Sequence, residues 1–163
     1  VSTINGLPAH ILLIHFVVVL APLTALLAVA ASVWAGARRR FVWLIAALSV
    51  LILVLTPLTT DAGEWLEKRV PKSAAVETHA GLGDTMLYFA IAAVVVAALL
   101  VLQHLRERRE KPPVRWLSVA VAIIAVLVGV ATIVQVYRIG DSGARAAWDD
   151  TVTSAPAEDG PSK

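Results

Sequence analysis

The sequence contains no cysteine. That one absence excludes disulfides, thiolate metal sites, iron–sulfur ligation and covalent c-type haem attachment. Charge is scarce too: 16% of the 163 residues are Asp, Glu, Lys or Arg, against 58% hydrophobic, and mean hydropathy is +0.78. A water-soluble domain of this size is about a quarter charged, so the composition points to a membrane protein. The basic residues form short clusters between apolar blocks instead of a stripe along one helix face, which leaves no footprint for nucleic acid. No Lys or Arg precedes the first apolar block, and the opening VSTINGLPAH lacks the charged start of a secretory signal. The block runs past the length of a signal core and is read as a retained transmembrane helix.

Four apolar segments, about 7–34, 41–58, 79–102 and 116–137, are long enough for a hydrocarbon core of ~30 Å, which takes roughly 20 helical residues. The expected fold is all-α, a four-transmembrane-helix bundle. Arg38-Arg39-Arg40 lies between the first two segments, and Arg106, Arg108, Arg109, Lys111 and Arg115 lie between the last two. The positive-inside bias puts both clusters in the cytoplasm and both termini on the outer, non-cytoplasmic side. Trp34, Trp43, Trp65 and Trp116 fall near segment ends, where amphipathic rings favour the headgroup region. The stretch GEWLEKRVPKSA has the spacing of a short surface helix, and residues 137–148, with Gly140 and Gly143, read as an outer turn folding over the bundle mouth. The tail 149–163 is polar and contains proline, and is expected to be disordered. No internal repeat is evident.

This topology brings most polar side chains to the outer half. His10 sits at the mouth of the first helix and His15 ~7.5 Å deeper; the second helix delivers Thr56, Thr59, Thr60 and Asp61, the third begins with His79 and Asp84, and the fourth returns with Thr132, Gln135 and Asp141. Between them and the basic clusters the helices are almost purely Ala, Val, Leu and Ile, which argues against an ion or proton path through the whole membrane. Histidines on different helices of a bundle suit a b-type haem, whose iron takes imidazoles from opposite faces. His15 and His79 are the favoured pair, with His10 and Gln135 beside them. For a transition metal the set is His10, His79, Asp61 and Asp84. His10 and His15 lie about 140° apart around one helix, which disfavours a shared small ion. A structural reading stays open, in which His10 and His15 bond neighbouring helices and the aspartates cap helices or meet arginines. His104, near Arg106, reads as a solvated interface residue.

The opening LPAHILLIHFVVVLAPLTALL is similar to the HP-x-x-VHFP-type start of four-helix bacterial membrane proteins of the domain of unknown function 2231 family. The threonine-rich end of the second helix with Asp61, His79 followed by GLGD, and YRIGDSGARAAW resemble later landmarks of that family, over about Leu7 to Trp148. The resemblance implies a multi-pass protein of the bacterial cytoplasmic (inner) membrane. It also implies a redox role, since some members look like membrane partners of Rieske-type domains, and ligand roles for His10, His15 and His79. The sequence departs from the pattern where Ile11 and Val17 stand in place of prolines, and where Asp141 stands at a position that is often histidine. The expectation is an electron-transfer module with haem b, a transition metal ion or no cofactor, more an electron carrier than a stand-alone enzyme. It would sit in the lipid bilayer with a redox partner. The alternatives are an accessory subunit of a larger membrane complex and a small-molecule or ion transporter.

Overall fold

The structure, a computed structural model, describes residues 3–4, 7–109 and 114–153. A short strand β1 (Thr3–Ile4) pairs antiparallel with β2 (Leu7–Pro8). Four helices follow: α1 (Ala9–Val33), α2 (Ala35–Glu67), α3 (Ala74–Arg108) and α4 (Arg115–Thr153). Each contains a stretch long and apolar enough to cross a membrane, and each such stretch is at most 28% buried within the bundle. The remaining apolar surface, with Phe16, Val19, Leu26, Leu127 and Val130 all exposed, is what a lipid-embedded bundle offers to acyl chains.

Three of the four helices outrun their apolar segments, while α1 falls just within its own. Only the extended Trp34 separates α1 from α2, so the three arginines occupy the first turns of α2 rather than a loop. At its other end α2 continues through Asp61 to Glu67, absorbing part of the expected surface helix, and stops before Pro71, which cannot continue a helix. Ser73 caps α3 by accepting from the Val76 N–H at 3.2 Å, with Glu77 in the first turn and Arg106 and Arg108 in the last, each sign matched to the helix dipole. The expected turn at 137–148 is helical. Gly140 and Gly143 cost α4 about 1 kcal/mol each in propensity, too little to break a helix docked against its neighbour, and Asp141 pairs with Arg145 one turn on. The tail expected to be disordered from 149 is helical to Thr153; residues 154–163 lie outside the described residues.

Sequential helices pack side by side and α4 closes against α1, giving a four-square bundle in which α1 and α3 also touch across the diagonal. Small residues make this approach possible: Ala21, Ala28, Ala31, Ala90, Ala97 and Ala125 are all buried, as expected where packing rather than the hydrophobic effect joins helices in lipid.

Part of the buried pattern recurs between the two helical hairpins. Val17, Ala21, Ala28 and Ala31 of α1 have counterparts at the same spacing in Met86, Ala90, Ala97 and Leu100 of α3. Ile45, Ser49, Ile52, Thr56, Thr59 and Ala62 of α2 likewise match Ala125, Gly129, Thr132, Val136, Ile139 and Ser142 of α4. The molecule is thus two similar helical hairpins. The side chains at equivalent positions differ, which hides the repeat from a direct reading of the letters.

Buried polar residues form three layers instead of the single one expected. One lies at the histidine end, one, with Thr24, Ser49 and Thr132, lies at mid-depth, and one, with Arg38, Gln103 and His104, lies at the arginine end. The Arg38 guanidinium donates to the Ala31 and Ser32 carbonyls at 2.7 and 3.5 Å and pairs with Glu107. It thereby ties the end of α1, whose last carbonyls lack helical partners, to α2 and α3. His104 is 5% exposed and meets Trp43 edge to face, so it is a packed residue rather than a solvated one. Two apolar clusters, one with Ile52 and Met86 and one with Ile45 and Leu100, separate the layers.

Candidate functional site

His10, in the first turn of α1, directs Nδ1 at the Thr59 carbonyl of α2, 2.9 Å away. A carbonyl only accepts, so Nδ1 carries the proton and donates, and the lone pair of the neutral ring is on Nε2. His79 of α3 repeats the arrangement against α4: its Nδ1 lies 3.1 Å from the Ile139 carbonyl and 3.1 Å from Ser142 Oγ. The Ser142 hydroxyl itself donates to Ile139 O at 3.0 Å, which leaves its oxygen free to accept from His79. Every hydrogen bond that these two rings make among the described residues uses Nδ1.

A glycine one turn beyond each carbonyl makes room for the ring. A Cβ at Gly63 would come within 2.9 Å of His10 Nδ1, and one at Gly143 within 2.9 Å of His79 Cε1. Both are closer than real Cβ atoms approach, so each histidine occupies the volume that a side chain would take. The two clasps are equivalent in the hairpin repeat, and a motif marks them: Asp61-Ala62-Gly63 and Asp141-Ser142-Gly143. That recurrence was the available sequence signal for Gly63 and Gly143, which reading for ionisable residues alone passes over.

Across the α1–α3 diagonal the two rings meet, centroids 6.1 Å apart and planes at 86°. His79 therefore has His10 as its ring neighbour, and His15 stands apart. His15 is exposed on the outward stripe that also carries Ile11 and Val19, with Nδ1 turned back on the Ile11 carbonyl of its own helix. Gln135 is buried but committed, its Nε2 donating to Leu82 O at 3.0 Å and Thr85 Oγ1 at 2.8 Å. Asp61 and Asp84 are exposed. No group of three or more His, Asp or Glu side chains with metal-ligand proximity occurs among the described residues.

The arrangement offers a ligand two imidazoles from different helices. Two imidazoles on one ion, with metal–nitrogen bonds of ~2.0–2.1 Å, have ring centroids roughly 5–6 Å apart, close to the observed separation. A porphyrin asks for more room: ligand pockets of cofactor size are about 300–1,000 Å³, and a cavity deeper in the bundle, lined by Thr24, Ser49 and Thr132, measures about 20 Å³.

The model of a family described as "Predicted membrane protein (DUF2231)" matches residues 6–156. No curated protein and no solved structure matches the chain.

Proposed function

The chain belongs to this DUF2231 family of predicted membrane proteins, and from that footing we propose that it is a membrane-embedded electron-transfer module with a metal centre held between His10 and His79. In this reading the histidine end faces away from the cytoplasm, across a bacterial inner membrane, where a redox partner docks. The observation that carries it is the pair of carbonyl-fixed Nδ1–H tautomers, which turns both Nε2 lone pairs into available donors. Backbone carbonyls fixing Nδ1 in this way are the usual outer support of metal-bound histidine. A single transition-metal ion fits better than haem b, because it asks only for solvent or partner ligands to complete its shell, whereas a porphyrin requires the helices to spread. Bound there, the ion would supply one-electron exchange. His10 and His79 would hold it, Gly63 and Gly143 would seat the rings, and Thr59, Ile139 and Ser142 would fix their orientation.

A second reading rests on the same hydrogen bonds. His10 joins α1 to α2 and His79 joins α3 to α4, which suffices for a purely structural clasp in an accessory subunit. Elemental analysis of the purified full chain, with absorption spectra in oxidised and dithionite-reduced forms, separates the two. Metal in stoichiometric amount, or Soret and α bands if haem is held, supports the redox module; a protein with neither supports the clasp. Substituting His10→Asn or His79→Asn keeps a donor at the Nδ1 position and removes Nε2, so metal is lost while the fold survives.

A further inference from the structure

We propose that a single water molecule is bound at mid-membrane between the hydroxyls of Thr24, Ser49 and Thr132, bridging α1, α2 and α4. These residues are 2%, 0% and 3% exposed, and their hydroxyls have no hydrogen-bond partner among the described residues. Gln103 and His104 also hold unpartnered polar atoms near the arginine end, but among the described hydroxyls these three stand apart. Thr56, Thr59, Thr60 and Thr78 return their hydroxyls to the carbonyl four residues back, and Ser32, Thr85 and Ser142 to the carbonyl three back. A hydroxyl left over in lipid or a packed core costs about 1–3 kcal/mol, and three such groups in unrelated places would be a heavy burden.

They are not in unrelated places. All three line one cavity, whose α3 wall is apolar, with Met86, Phe89 and Ala93. The cavity volume, about 20 Å³, is one water's worth, since ~10–15 Å³ is the least that holds a water and such a molecule needs two to four polar partners. Counting from the histidine layer, the three residues lie roughly 15–20 Å along their helices, near the middle of a ~30 Å hydrocarbon core. An alkali cation is a poor occupant, because the lining contains no carboxylate. Apolar clusters flank the cavity towards both other polar layers, which suits a fixed structural water better than a step in a conduction path.

Thr→Val changes test this by the sign of their effect, because valine keeps threonine's shape and nearly its helix propensity. If the water is there, Thr24→Val and Thr132→Val each lower the thermal midpoint of the detergent-solubilised full chain by several degrees. The double variant then loses clearly less than the sum, since the second change acts on a water already deprived of one partner. Thr24→Ser and Thr132→Ser retain the hydroxyl and stay above the valine variants. Midpoints that rise or stay put in the valine variants, with additive effects, mean a dry cavity and overturn the proposal. A midpoint that depends on Na⁺ or K⁺ over choline overturns it in favour of a cation. An experimental density map supplies the direct view, with a peak ~2.7–3.0 Å from all three hydroxyl oxygens expected and an empty cavity contradicting it.

Discussion

At the scale of single residues, the histidines divide by what their Nδ1 atoms touch. His10 and His79 donate across helix boundaries to Thr59 and Ile139, while His15 donates to its own helix and is exposed. Sequence alone made His15 the stronger candidate on depth, because the rotation between the two histidines was readable but the face of α1 that packs inward was not. Rotation about the helix axis, fixed by which face of α1 packs inward, reverses that order. The glycines matter as much as the rings they admit. Gly63→Ala and Gly143→Ala place a methyl group 2.9 Å from a ring atom, so each ring must leave its carbonyl or the helices must part. Overpacking of this kind costs about 1–3 kcal/mol. Both variants are expected to lower the thermal midpoint in detergent, whereas Gly81→Ala, whose Cβ meets nothing within 4 Å, is expected to raise it or leave it unchanged through helix propensity.

At the scale of elements, the number and approximate place of the helices were legible from apolar runs, and their ends were not. A hydropathy pattern registers where lipid begins and stops, and α2, α3 and α4 continue as helices beyond that point because their polar extensions still pack on one another. Residues 137–148 illustrate this, since glycines that suggest a turn in isolation serve here to seat His79 against a continuous helix. Arg38 illustrates the reverse error. As one of three consecutive arginines it reads as a topology signal, yet it is 7% exposed and holds three helices together through Ala31, Ser32 and Glu107. Arg39 and Arg40 are exposed. Replacing Arg38 with Ala leaves two carbonyls and a half-buried carboxylate without their donor and is expected to cost roughly 1–3 kcal/mol, while Arg39→Ala is expected to change stability by less than about 0.5 kcal/mol. Thermal or denaturant unfolding of the two variants side by side checks the contrast.

At the scale of the whole molecule, two hairpins of one design meet so that their first helices touch across the bundle, and that diagonal contact creates the paired-histidine mouth. The proposed orientation, with the arginines in the cytoplasm, rests on the positive-inside bias. With no native cysteine, single-cysteine variants report it cleanly: Glu64→Cys, near the histidine end, is expected to react with an impermeant maleimide added outside intact cells, and Arg39→Cys only after lysis. The reverse pattern would invert the topology and put the site in the cytoplasm. The central claim is that the Nε2 atoms of His10 and His79 together hold a metal ion, and calorimetric titration of the metal-stripped full chain with Cu²⁺ tests it most directly. One ion per chain is expected for the unaltered protein and for His15→Asn, with binding lost in His10→Asn and in His79→Asn although both remain folded. Binding that persists in those two variants, or no binding in the unaltered chain, would contradict it.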